Sequence, residues 1–318
     1  MKNIFEIERR RTAMYKYCAT VEIENAVELS GDFLFQVVIK EKMSFKIIDC
    51  FFQVIKNHDS SFKISDSILV MYFSELRDFD GAKMKIKRAI EFFVFMTGIP
   101  FDVSPWVIES IGGDIPILNN ELSKKKMMEI TEANRLYNKV RTKKNLLEKV
   151  LQMYSVAIKE NFLLAQNKED AFFTYFKIIE IIVKDDFSIE KQRIDKGTIQ
   201  TKQYIELILS QVYGVRTQNK RVDELCGNIK NRLFKLVFGG NDNIYHKTAW
   251  FMQRKNIRFD KDLLANIVLL RNRIAHGENV EMEKHQQEYI EVMSLTKNVI
   301  DAKFFGKELQ IDSRQIIL

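Results

Sequence analysis

The stretch LLRNRIAHGEN, residues 269–279, decides how this chain reads. Asp260 suits the N-cap of a helix starting near Lys261, and Gly277 suits the C′ position just past its end. Inside that helix Leu263, Ile267, Leu270 and Ile274 recur on one face, with Leu264, Val268, Arg271 and Ala275 in the adjoining row. Arg271 therefore interrupts an apolar stripe, where a guanidinium needs an anionic partner or a cleft to line. Asn272 and His276 are four residues apart and so neighbours on the helix surface. Arg271 and His276 lie about 140° apart around the axis. The long arginine stem narrows that gap within one helix, and two helices meeting about a two-fold axis close it better.

Arginine and histidine at one helix end suit cleavage of a phosphodiester. The arginine holds the phosphate in bidentate fashion and offsets charge developing in the transition state. The histidine is a side chain suited to pass protons to or from a ribose 2′-OH or the leaving 5′-oxygen. Asn272 is placed to orient the histidine or a phosphate oxygen. A plainer reading makes His276 a C-terminal residue that interacts with the helix dipole and the last carbonyls. Arg271 on the stripe and Asn272 one turn earlier weigh toward the chemical one. The sequence has no cluster with metal-ligand spacing, so the expected chemistry is metal-independent and needs no cofactor. Its dependence on a 2′-OH makes RNA the expected substrate.

The rest of the chain frames this segment. At 318 residues, 46% hydrophobic and 29% charged, it has the composition of a folded globular protein, long enough for one large or two ordinary domains. Its longest apolar runs, such as AIEFFVFMTGI, fall short of the roughly 20 residues that cross a bilayer. The opening MKNIFEIERRRTAMYKY has no apolar core of a secretory signal. Cys18, Cys50 and Cys226 are scattered, with neither zinc nor disulfide spacing, so a cytoplasmic protein with free thiols is expected. The net charge of +7 is concentrated. Residues 123–149 carry nine Lys or Arg against three Glu, the basic members being Lys124, Lys125, Lys126, Arg135, Lys139, Arg141, Lys143, Lys144 and Lys149. Such a stretch attracts a phosphate backbone and makes Lys124, Lys125, Lys126, Arg141, Lys143 and Lys144 candidate RNA contacts. It also reads as a solvated helix face.

All three prolines, Pro100, Pro105 and Pro116, fall close together, and none follows. This predicts a boundary between a mixed α and β domain over 1–118 and a helical domain over 123–318. In the first, YKYCATVEIENAVEL and DFLFQVVIKEKMSFKIIDCFFQVI read as strands separated by a turn at Gly31-Asp32. KIKRAIEFFVFMTG reads as a helix closed by Gly98. In the second, KEDAFFTYFKIIEIIVKDD sets Phe172, Tyr175, Phe176, Ile179 and Val183 at helical spacing. Shorter helices are expected near 201–213 and 221–237, inside a long irregular insertion over about 185–260, with a last helix near 282–303. The expected fold class is thus an α+β N-terminal domain followed by an all-α helical bundle.

The segment Arg271-Asn272-Arg273-Ile274-Ala275-His276 is similar to the R-x(4–6)-H motif of the HEPN superfamily, in which a polar residue, commonly Asn, follows the arginine. AFFTYFKIIEII, with Glu180, resembles the family's earlier core helices, and the likeness covers roughly residues 130–303. A mixed domain ahead of such a helical domain, together with FFVFMTGIP, resembles the ApeA-type abortive-infection proteins. The resemblance implies a HEPN-like homodimer whose two Arg–His motifs share one composite cleft. It implies a metal-independent endoribonuclease of phage defence or a toxin–antitoxin system, acting on RNA, with tRNA among the candidates. An antitoxin or a phage-derived trigger would control it. By match to the motif, Arg271, Asn272 and His276 would be catalytic, and Arg273, at a variable position, a substrate contact. Glu180 would either support Arg271 through a salt bridge or form a polar edge. The alternative is a non-catalytic HEPN domain that dimerises and binds nucleotide or a partner.

Overall fold

The computed structural model describes residues 15–22, 28–29, 33–34, 44–55, 67–74, 79–98, 108–111, 124–163, 168–213, 220–238, 243–306 and 309. The turn expected at Gly31-Asp32 and the three prolines lie outside the described residues. By internal contacts the chain divides into two units, Met1–Thr174 with Phe304–Leu318, and Tyr175–Lys303.

The first unit contains an antiparallel sheet in the order β4-β5-β6-β1-β7. Its strands are β1 (Tyr15–Glu22), β4 (Ser44–Ile47), β5 (Cys50–Ile55), β6 (Ser67–Ser74) and β7 (Ile108–Ile111). A separate pair, β2 (Glu28–Leu29) and β3 (Phe33–Leu34), forms a two-stranded ribbon. Helix α1 (Phe79–Thr97) follows β6 in the chain. Its second half, AIEFFVFMT, is buried at every position, Glu91 and Thr97 included. Phe93 stacks with Phe45 of β4 and tilts against Phe52 of β5, with centroids 5.4 Å apart in both cases. Gly98 ends the helix at φ +68, a left-handed conformation that glycine enters without steric cost.

Helices α2 (Lys124–Lys139) and α3 (Lys144–Leu163) belong to this unit too, although the proline boundary assigns them to the helical domain. Specific contacts account for their place. Phe92 of α1 meets Tyr137 at 4.8 Å, Phe95 meets Tyr154 at 5.3 Å, and Arg88 pairs with Glu148 at 2.8 Å. Asn134 of α2 clamps the β4–β5 turn. Its Oδ1 accepts from the Ile48 N–H at 2.7 Å and its Nδ2 donates to the Lys46 carbonyl at 2.8 Å. Ile48 stands at φ +54, which a β-branched residue enters only at steric cost.

In the second unit every described element is helical. Helix α4 (Lys168–Tyr213), whose first residues belong to the other unit, runs for 46 residues, about 69 Å at the usual rise. It is followed by α5 (Lys220–Phe238), α6 (Ile244–Arg254), α7 (Lys261–Ala275), a 3₁₀ turn (Met282–His285), α8 (Gln286–Ile300) and a π-helical turn (Asp301–Phe305). The helices expected near 201–213 and 221–237 are the end of α4 and α5, and the described residues of the expected irregular insertion over 185–260 are helical: the second half of α4, then α5 and α6. Charge and aromatic contacts supply the order that periodicity alone did not suggest. Lys230 pairs with Asp195 at 2.7 Å, Lys202 with Asp223 at 2.5 Å, and Arg254 with Glu190 at 2.7 Å. Phe187, Phe238 and Trp250 cluster at the base of the α4–α5 pair, Phe187 and Phe238 at 4.2 Å and Phe238 and Trp250 at 5.2 Å. None of the described helices is long and apolar enough to cross a membrane.

Candidate functional site

Helix α7 carries the residues the sequence singles out. Asp260 caps its start, the carboxylate accepting from the N–H groups of Asp262 at 2.8 Å and Leu263 at 2.9 Å. Leu264, Ile267 and Leu270 are buried, between the two rows that periodicity distinguishes. The end of the helix is a complete Schellman turn around His276 as C-cap. Gly277, at φ +77, donates its N–H to the Ile274 carbonyl at 2.9 Å, and Glu278 donates to the Arg273 carbonyl at 3.1 Å. The His276 N–H donates to the Asn272 carbonyl at 3.0 Å. Sequence and backbone together thus fix His276 at the turn, and its side chain is exposed.

Arg271 sits one turn beyond Ile267 and two beyond Leu264, with only 22% of its side chain exposed. Its anionic partner is resident in the fold. Nη2 lies 2.6 Å from Oε1 of Glu180, a residue of α4 flanked by buried Ile179 and Ile182. The other oxygen of Glu180 takes Lys184, one turn along α4, at 3.5 Å. On its second nitrogen Arg271 donates to Oδ1 of Asn272 at 3.1 Å, and the guanidinium carbon lies 5.9 Å from the Phe176 ring centre. A carboxylate, an amide and an aromatic face thus hold one guanidinium in one orientation. An isolated carboxylate at this depth would cost several kcal/mol, so the pair offsets its burial while fixing geometry.

The structure brings Arg271, Asn272 and Glu180 together. Among the described residues no hydrogen bond joins the His276 ring to this group. Arg273 is engaged in the terminal turn, its Nε donating to Glu278 at 2.8 Å between exposed side chains. Lys124, Lys125 and Lys126 open α2, and their side chains lie outside the described residues. Arg141 is exposed and Lys143 half-exposed. Lys144 instead closes the α2–α3 corner, with Nζ 3.0 Å from the Tyr137 carbonyl and 3.0 Å from its ring centre. Desolvation there pulls the lysine pKa down to about 8, against an opposing pull from Glu148. All these basic residues belong to the first unit, whereas the α7 group belongs to the second.

Two participants escaped the sequence reading, Lys184 and Phe176 as neighbours of the Arg271–Glu180 pair. The four-residue step from Glu180 to Lys184 is a signal that could have found the first. Among the described residues no group of three or more His, Cys, Asp or Glu side chains is arranged to hold a metal ion. Compared with protein-family models, curated proteins and solved structures, the chain matches none.

Proposed function

We propose that the chain is a metal-independent endoribonuclease of HEPN type, acting as a homodimer in which two α7 helix ends share one RNA-binding cleft. The observation that carries this reading is the fixed guanidinium of Arg271, held by Glu180 at 2.6 Å on the helix that ends in the exposed His276. In the reaction, Arg271 holds the scissile phosphate and offsets its growing charge. His276 in neutral form takes the proton of the ribose 2′-OH as that oxygen attacks phosphorus. The bond to the 5′-oxygen breaks, and the protonated His276 of the partner subunit donates to the departing oxygen. The products are a 2′,3′-cyclic phosphate and a 5′-hydroxyl. Asn272 keeps the guanidinium in register, and Arg273, Lys124, Lys125, Lys126, Arg141 and Lys143 extend the contact with RNA. In this reading the N-terminal α+β domain senses a trigger, phage-derived or an antitoxin, within the cytoplasm.

The test incubates the purified protein with total RNA and tRNA in EDTA beside His276→Ala and Arg271→Ala. Cleavage by the wild type alone, leaving 2′,3′-cyclic ends, is the expected result. Equal cleavage by all three proteins, or none even with phage-infected lysate added, sinks the proposal. One observation favours the second reading, a non-catalytic dimerisation and binding module. The buried Glu180 by itself accounts for an arginine on the stripe, so Arg271 serves the fold whether or not it serves a phosphate.

A further inference from the structure

Within the second unit, Lys184 is a cation that shares a partner with Arg271. Its Nζ lies 3.5 Å from Oε2 of Glu180, whose Oε1 meets the Arg271 guanidinium at 2.6 Å. The three side chains differ in depth: Glu180 is 5% exposed, Arg271 22% and Lys184 57%, so the carboxylate lies deepest and the ammonium outermost. Lys184 adds little to holding Glu180, because an exposed pair at 3.5 Å is weak beside a guanidinium at 2.6 Å. Two cations on one carboxylate also leave one formal positive charge that Glu180 does not offset. Lys184 can therefore swing to another anion without stranding a buried charge, which Arg271 cannot. The edge of α4 around it suits such an anion. Lys177, also exposed, comes seven residues earlier, about 20° from Lys184 around the axis and about 10 Å along it. Asp185 and Asp186 fall about 100° and 160° around the helix from Lys184, and both pair with Lys303.

We propose that Lys184 is a second phosphate-binding residue of the Arg271 site, with Lys177 further along the same edge, so that an RNA backbone follows this edge of α4 past Arg271. The proposal rests on the ribonuclease reading for the phosphate at Arg271 and deepens it by naming a contact in the same unit. The basic residues of α2 and α3 belong to the other unit, whereas Lys177, Glu180, Lys184 and Arg271 all belong to the second. Glu180 acts here as a shared counter-ion. It keeps Arg271 in place at all times and holds Lys184 only until a phosphate takes the ammonium. A lysine meets a phosphate as a point charge and reads no base, so Lys184 sets affinity and position on the strand without setting sequence preference.

Fluorescence anisotropy on the full chain tests it, with a labelled single-stranded RNA of about 20 nucleotides and a His276→Ala parent that leaves the RNA intact. Lys184→Ala should weaken binding about fivefold at about 50 mM salt. It should also lower the slope of log affinity against log salt by about 0.7, the share of one phosphate contact on a single strand. Lys184→Arg should restore both, Lys184→Glu should weaken binding further, and Lys177→Ala should act in the same direction with a smaller effect. Lys184 is exposed and Glu180 keeps Arg271, so these proteins should hold the helical circular dichroism of the parent. A lysine that only propped Glu180 would leave the salt slope where it is. With His276 in place, Lys184→Ala should raise KM for RNA by the same factor and leave kcat unchanged. A parent that does not bind RNA, or a Lys184→Ala protein with the salt slope of its parent, overturns the proposal. Binding that depends on Lys184 without cleavage by the wild type would remove catalysis from the ribonuclease reading and leave this contact standing.

Discussion

Glu180 in the second unit and Glu91 in the first both lie on buried helix faces, at 3% and 7% exposure, and their surroundings treat them differently. Glu180 receives a guanidinium at 2.6 Å on one oxygen and Lys184 at 3.5 Å on the other. The nearest cation to Glu91 is Lys87, one turn away at 3.8 Å and 44% exposed, while Arg88 on the same helix is taken by Glu148. Burial pushes the Glu91 carboxyl up to about 7, against the opposing pull of Lys87. One unit thus keeps its buried carboxylate paired. The other lets its carboxylate take up a proton near neutral pH. The lesson is that helix i,i+4 spacing alone does not hold a buried charge, whereas a fixed fork from another helix does.

The largest break in this contrast is Arg271→Ala. It leaves Glu180 buried without its main partner and should cost about 3–5 kcal/mol of unfolding free energy, read by urea denaturation. The double variant Arg271→Ala/Glu180→Gln should recover most of that stability and none of the RNA cleavage. Recovery of both would mean that Arg271 acts only through the fold. Next in size is Glu91→Gln. The folded pKa of Glu91 is raised above its unfolded value of 4.5, so its contribution to stability is complete below pH 4.5 and is lost as pH rises through about 7. Glu91→Gln should therefore gain about 2–3 kcal/mol at pH 8 and almost nothing at pH 4.5. Thermal melts of both proteins across that range check the slope. Lys87→Ala should cost under about 1 kcal/mol, as an exposed ion pair does, measured in the same melts. Smallest is His276→Ala, whose stability should stay within about 0.5 kcal/mol of wild type while cleavage falls at least about a hundredfold.

Much of the α7 region was legible in the sequence because its signals are local. Asp260 at the N-cap, Gly277 at C′ and the apolar rows need only neighbouring residues to express themselves. Arg271 was legible as an anomaly, and Glu180 was legible as one of two readings, a supporting salt bridge or a polar edge, between which the sequence did not decide because the two residues lie on different helices. The length of α4 was hidden for another reason. Beyond Phe187 the helix has no buried stripe, so the period that announces amphipathic helices fades where only α5 and a few ion pairs support it. Ile48 was opaque in a third way. A tight turn ordinarily shows itself by Gly or Asn, and here an isoleucine occupies the left-handed position.

That isoleucine has a consequence for the order of events in folding. A hairpin closed by two residues ordinarily forms within microseconds from its own sequence. Between Ile47 and Cys50 the chain must instead hold Ile48 left-handed, against a penalty of about 1–2 kcal/mol. The group that stabilises the turn is Asn134, 86 residues further on. The shortest loop of the sheet therefore waits for one of the longest contacts, and the β4–β5 hairpin should consolidate only as α2 docks. An element that looks like a natural nucleus is in this way made dependent on long-range order, which raises cooperativity and slows the first unit's folding.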